Sequence, residues 1–170
     1  YFGDGKKFGI NIQYSEEKDR LLDIAGALKK AAPLLNDEFF VTYGDAYLPI
    51  DYNRVEKYFK RAALPALMVV YKNFNKYGKS NVIVKDNLVV DYDKDVQKNG
   101  MVYIDYGVLA FKKEVLNYIP RNKVFSMTIL FKKLIAKKVL GALKTEVPFY
   151  EVGTVEGLKR FKRMIKRKQS

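Results

Sequence analysis

The sequence predicts an α/β domain, a mixed, mostly parallel sheet flanked by helices with a β-hairpin inserted in its second half. Three observations carry this. Residues 39–43 (Phe-Phe-Val-Thr-Tyr) and 66–71 (Ala-Leu-Met-Val-Val-Tyr) are short apolar, β-branched and aromatic runs, the pattern of buried strands. Helix-like stretches precede and separate them. Two further strand-like runs then flank Asp86-Asn87, a two-residue hairpin signal. The 170 residues, 48% hydrophobic, with no internal repeat or Gly/Ser/Pro-rich linker, fit one domain over residues 1–170.

Each element has its own warrant. Residues 8–14 alternate apolar and polar, so they read as a strand. Residues 24–35 are rich in Ala, Leu and Lys and read as a helix, with Asp23 at its entry and Pro33 weakening its end. The run 39–43 reads as a buried central strand that Gly44-Asp45 ends abruptly. Asp51 offers an N-cap for a helix over residues 52–60. After the strand at 66–71, residues 80–85 and 88–92 make the hairpin, and 93–100 is a polar loop. Residues 103–111 read as a strand, 113–118 and 127–137 as helices split by Pro120. Short strands are expected around 142–144 and just before Gly153, and Thr154 would cap a terminal helix.

Composition removes many chemistries. With no Cys, there is no disulfide, thiolate nucleophile, zinc finger or iron–sulfur cluster. With no His, there is no Ser-His-Asp triad and no histidine base or metal ligand. Carboxylate-held hard cations such as Mg²⁺ remain open. No apolar stretch is long enough for a transmembrane helix, and the first residues lack the apolar core of a signal peptide, so a cytoplasmic protein without membrane contact is expected.

Lys plus Arg is 32 against 19 Asp plus Glu, a net charge of +13. Seven basic residues fall in residues 159–168 without an acid. Leu158, Phe161, Met164 and Ile165 recur among them at helical spacing, so the segment reads as an amphipathic helix with a solvated basic face. The aromatic residues sit in strand- and helix-like positions rather than among these cations, which argues against a nucleic-acid partner.

Three positions stand out as places for a site. Gly44-Asp45 would lie at the carboxyl tip of a strand, where ligands bind in open α/β sheets and a carboxylate can hold Mg²⁺ beside a phosphate. The same pair is what a plain strand-to-loop turn requires. Glu151 follows a β-like run and precedes the terminal helix; it reads equally as a surface acid. Asp105-Tyr106-Gly107 places a glycine inside a strand, a mark of a bulge or a close ligand.

Residues 39–52, Phe-Phe-Val-Thr-Tyr-Gly-Asp-Ala-Tyr-Leu-Pro-Ile-Asp-Tyr, resemble the Gly-Asp strand of the sugar-phosphate nucleotidyltransferases. Residues 14–17 and 21–28, Tyr77-Gly78, residues 103–108 and residues 149–158 are similar to successive landmarks of that family, in the same order. The closest branch is the hexose- or heptose-1-phosphate guanylyltransferases. The resemblance implies a Rossmann-like nucleotidyltransferase fold and a reaction in which an NTP and a sugar-1-phosphate give an NDP-sugar and pyrophosphate. It implies Asp45 and Glu151 as Mg²⁺ ligands and catalytic residues, and Ala25, Gly26 and Gly44 at the nucleotide. It implies Gly78, Lys94, Asp105 and Gly107 at the sugar phosphate.

Two departures qualify the pattern. The family's N-terminal Gly-rich triphosphate loop has no counterpart in the sequence, so the first βα unit is expected to be missing, with self-association or a complementing N-terminal segment covering the sheet. Asp23 stands where relatives carry an uncharged residue beside the nucleotide, and the position near Thr128 is altered as well. The alternative to an active transferase is therefore a catalytically inactive fragment or interaction module on the same fold.

Overall fold

The computed structural model describes the backbone of residues 1–169 and the side chains of residues 1–166, so Arg167 and Lys168 of the basic run have side chains outside the described residues. The strands are β1 (Glu38–Thr42), β2 (Ala46–Tyr47), β3 (Ala66–Lys72), β4 (Val82–Lys85), β5 (Leu88–Tyr92), β6 (Tyr103–Lys112), β7 (Leu140–Thr145) and β8 (Tyr150–Glu151). The α-helices are α1 (Asp23–Lys30), α2 (Tyr52–Ala62), α3 (Met127–Ala136) and α4 (Val155–Gln169). Six strands form one sheet in the order β1-β6-β3-β7-β5-β4, and β2 pairs with β8 in a separate ribbon.

The expectation of a mostly parallel sheet is corrected. β3–β7 is the one parallel pairing among the described strands; β1–β6, β3–β6, β5–β7 and β4–β5 are antiparallel. The helical crossover through α2 makes β1 and β3 point the same way, but β6 inserts between them in the opposite direction. A run of apolar residues reports burial on both faces; it carries no information on which neighbour arrives or in which direction.

β3 is buried along Ala66–Val70 because it lies inside the sheet with cores on both faces. Met68 and Val70 join Leu109, Phe111, Leu130 and Phe131 on the face of α1 and α3. Leu67 and Val69 join Val108, Val55, Phe59 and Phe149 on the face of α2. The strand period of two thus divides one segment between two layers. β1, in contrast, is an edge strand rather than a central one, and Phe40 is exposed on it.

Local signals act as expected where the partner is local. Asp51 caps α2, its Oδ1 accepting the Asn53 and Arg54 N–H groups. Asp86 and Asn87 both have positive φ, 49° and 59°, the mirror-image turn that joins β4 to β5. Pro33 ends α1 early, and a 3₁₀ turn follows at Ala32–Leu34. Residues 113–118 are 3₁₀ rather than α-helical. The strand expected at 8–14 does not form: Ile10 and Ile12 donate back to the Gly5 and Asp4 carbonyls at 3.3 and 2.9 Å, folding a loop. Alternation alone gives no strand without an edge to pair with.

Candidate functional site

A cleft of about 680 Å³ opens at the carboxyl end of β1 and the amino end of β6. Thr42, Tyr43, Gly44 and Asp45 line it from the β1 tip, Asp105 from β6, Asn81 from the approach to β4, and Lys94 from just beyond β5. Asp23 and Ile24 at the start of α1, and Ser126 to Thr128 at the start of α3, line it from the helices. The N-terminus of α3 faces the space, and its partial positive charge favours an anionic ligand there; at α1 the Leu22, Ile24 and Gly26 N–H groups are already taken by Glu17, Asp23 and the Phe125 carbonyl. Lys94 adds a full cation.

Asp45 is exposed at the rim, and the β2–β8 ribbon brings Glu151 to it. Ala46 pairs with Glu151 and Tyr47 with Tyr150, and the Val152 N–H donates to the Asp45 carbonyl at 2.7 Å. Both carboxylates crowd the bare α-carbon of Gly153. A Cβ there would lie 3.1 Å from Glu151 Oε1 and 3.6 Å from Asp45 Oδ2. The Thr154 hydroxyl donates to Glu151 Oε2 at 2.8 Å and, as the cap of α4, accepts the Gly157 N–H at 3.1 Å. Two carboxylates converging with free oxygens are a donor set suited to Mg²⁺. No group of three or more carboxylates occurs among the described residues, so a cation held here would complete its shell with substrate phosphates and water.

Deeper in the cleft, Asp105 is set among protein atoms. Its Oδ1 accepts the Gly107 N–H at 2.9 Å and its Oδ2 accepts the Tyr43 hydroxyl at 3.3 Å. Burial pushes its carboxyl up to about 6, against the pull of these two donors. Burial, with the Asp105 charge next in size, drives the Tyr43 and Tyr92 phenols far above their ordinary range. The Asp105 N–H is fixed by Asn81 Oδ1 at 3.0 Å. Gly107 has φ 91° at an irregularity of β6, and a Cβ there would meet Tyr43 Cδ2 at 3.3 Å, so the glycine lets Tyr43 close over the strand.

The sequence-predicted residues are thus divided. Gly44, Asp45, Lys94 and Asp105 line the cleft, Glu151 stands beside Asp45, and Gly107 shapes the floor under Tyr43. Ala25 is buried in the core against α3. Gly26 faces the chain at Lys123 and Phe125, and its N–H is taken by the Phe125 carbonyl at 3.0 Å. Gly78 lies outside the cleft lining, in a loop where the Asn73 side-chain amide holds its carbonyl at 2.8 Å. Sequence reasoning did not single out Tyr43 or Asn81. The signal for Tyr43 was its place just before Gly44-Asp45; for Asn81 there was none, because its role is to hold a backbone group distant in the chain.

The mixed sheet with flanking helices is a fold shared with solved nucleotidyltransferases. A solved Bacillus anthracis structure given as a glucose-1-phosphate thymidylyltransferase superposes with a TM-score of 0.82 at 18% identity, covering 96% of this chain and 68% of that one. The inositol-1-phosphate CTP transferase of T. maritima gives 0.68 at 20%, covering 85% and 62%. In sequence, the chain is similar to a UTP–glucose-1-phosphate uridylyltransferase of Synechocystis, 29% identical across 89% of this chain and 42% of that protein. It is also similar to a Campylobacter jejuni D-glycero-α-D-manno-heptose 1-phosphate guanylyltransferase, 26% identical across 95% of this chain and 70% of that protein. No family model matches the chain. Its homologues are sugar-1-phosphate nucleotidyltransferases, and it spans less than half of the length of the first of these relatives. No described helix is long and apolar enough to cross a membrane.

Proposed function

We propose that the chain is the catalytic body, or part of it, of a sugar-1-phosphate nucleotidyltransferase, working in the cytoplasm. A phosphate oxygen of the sugar-1-phosphate attacks the α-phosphorus of an NTP, the α–β phosphoanhydride bond breaks, and pyrophosphate leaves. The acceptor is already a nucleophile, so the absence of Cys and His is no obstacle. The observation that carries the reading is the convergence of Asp45 and Glu151 at the rim of a cleft that also holds Lys94 and the N-terminus of α3.

In this reading Asp45 and Glu151 hold Mg²⁺, which would neutralise phosphate charge in the transition state. Thr154 orients Glu151 by its hydrogen bond. Lys94 offsets charge on a bound phosphate, and Asp105 with Asn81 presents polar groups to the sugar. Asp23, also on the lining, sets a negative charge against an anionic ligand and lowers affinity on that side. The outer edge of β1, unpaired among the described strands, is where a second copy or a complementing segment would add to the sheet.

The test is Mg²⁺-dependent pyrophosphate release across a panel of NTPs and sugar-1-phosphates. Release with one pair, abolished in Asp45→Ala while the fold is kept, is the expected result. Turnover unchanged in that variant would refute the assignment of the metal pair.

A further inference from the structure

The ribbon that joins Asp45 to Glu151 is only two residues long on each side, Ala46–Tyr47 and Tyr150–Glu151. A pair of strands that short does not hold its own register in water. Something else must fix it, and the neighbouring contacts come from α4. The Phe161 ring packs 5.2 Å from Tyr47 and 6.3 Å from Tyr150, the two residues that pair directly across the ribbon. Tyr47 and Tyr150 themselves stand 6.4 Å apart. Each tyrosine is one or two residues from a carboxylate of the pair. One turn earlier, α4 passes so close to the ribbon that a Cβ on Gly157 would overlap the Glu151 carbonyl. On the other side of Phe161, the Arg160 guanidinium lies 4.2 Å from the centre of the Tyr77 ring.

We propose that Phe161 is a positioning residue: by packing across Tyr47 and Tyr150 it locks the β2–β8 ribbon and so sets the spacing of the Asp45 and Glu151 carboxylates. This rests on the reading of those two carboxylates as a cation pair. It gives the amphipathic α4 a role for its apolar stripe distinct from the solvated basic face, since the half-buried Phe161 reaches the ribbon through that stripe while Lys162 and Arg163 are exposed. Loss of the ring leaves Glu151 tethered through Thr154 and its backbone, but frees the ribbon to shear or fray.

The experiment measures two things on the full chain in wild type, Phe161→Ala, Phe161→Leu and Asp45→Asn. The first is Mn²⁺ affinity by electron paramagnetic resonance. The second is hydrogen exchange at the Val152 amide, the ribbon's bond to the Asp45 carbonyl, against core amides of β3. In Phe161→Ala, Mn²⁺ affinity falls about tenfold, the scale expected when an outer-shell support is lost, and Val152 exchanges faster while β3 does not. Phe161→Leu restores most of both. If Phe161→Ala leaves Val152 protection and Mn²⁺ affinity at wild-type values, the positioning role is overturned. If β3 amides lose protection along with Val152, Phe161 acts on the whole fold and the role is likewise overturned. Wild-type chain that binds Mn²⁺ no better than Asp45→Asn would instead overturn the cation pair, and the Val152 exchange would still report whether Phe161 locks the ribbon.

Discussion

The Tyr43 hydroxyl donates to Asp105 Oδ2 at 3.3 Å, tying the tip of β1 to the start of β6 inside the cleft. The bond is poor compensation for burying a carboxylate, and the Asp105 carboxyl stands at about 6 against an ordinary 3.8. The folded chain therefore binds more protons here than the unfolded chain between those two values. By linkage, Asp105 makes the protein less stable as pH rises through that window, with the whole penalty present above it. Asp105→Asn removes the penalty, since an amide oxygen can still accept the Gly107 N–H and the amide nitrogen can donate to the Tyr43 oxygen. We expect the variant to equal wild type near pH 4 and to exceed it near pH 7.5 by up to about 3 kcal/mol. Paired urea titrations at the two pH values check this; a difference independent of pH would contradict it.

Gly153 separates two carboxylates at the ribbon's end. A methyl group there would press on Glu151 Oε1 at 3.1 Å and sit in ordinary contact with Asp45 Cβ at 3.5 Å. The tighter contact is with the end of one partly exposed side chain, so Gly153→Ala should change stability by no more than about 0.5 kcal/mol. With the Glu151 carboxylate displaced from Asp45, the pair should hold a divalent cation less well. Mn²⁺ titration followed by electron paramagnetic resonance should show affinity down by about tenfold with the thermal midpoint unmoved.

What could be read from the chain follows from the range of each signal. The Asp86-Asn87 turn, the Asp51 cap and the burial of β3 are set by residues close in sequence, and all are present. Phe39 to Thr42 was legible as a strand but not as an edge, because Phe39 and Val41 are inward-facing while Phe40 and Thr42 are not, and only the neighbours decide how much that matters. Strand direction was illegible for the same reason: β6 could be seen as a long apolar strand, yet nothing in it tells that it enters between β1 and β3. Within the site, Asp45 announced itself by following Gly44 at a strand tip, and its partner Glu151 by the family resemblance. Their meeting depends on the register of Ala46 with Glu151, a long-range fact. At Gly26 the backbone of the same chain occupies the open face that the resemblance gives to a nucleotide.

Gly26 separates the two readings cleanly. Its N–H is bonded to Phe125, and a Cβ would stand 2.7 Å from the Lys123 carbonyl oxygen and 2.8 Å from Leu22 Cβ. In an exposed helix, glycine to alanine gains about 1 kcal/mol. Here the backbone of residues 123–125 cannot yield as a flexible side chain would, so overpacking at about 1–3 kcal/mol wins. Gly26→Ala should lower the chemical denaturation midpoint in the absence of any nucleotide. A variant of undiminished stability that loses only nucleotide affinity would return Gly26 to the ligand.

Tyr106 is 1% exposed, and its hydroxyl is the one buried side-chain polar atom without a hydrogen-bond partner among the described residues. The ring is held on its edge by Phe149 at 5.8 Å, in the cluster that joins β6 to α2. Burial pushes the phenol's pKa well above its ordinary range, so at neutral pH it stays protonated and its unmet O–H is a standing cost. Removing that oxygen alone keeps the ring contacts and leaves a gap of one atom. The desolvation term, about 1–3 kcal/mol for an unsatisfied group, outweighs so small a void. Tyr106→Phe should therefore be as stable as wild type or more stable by about 1 kcal/mol, and its urea midpoint should rise or stay. A clear fall in that midpoint would mean that the hydroxyl has a partner in solution, a buried water being the simplest.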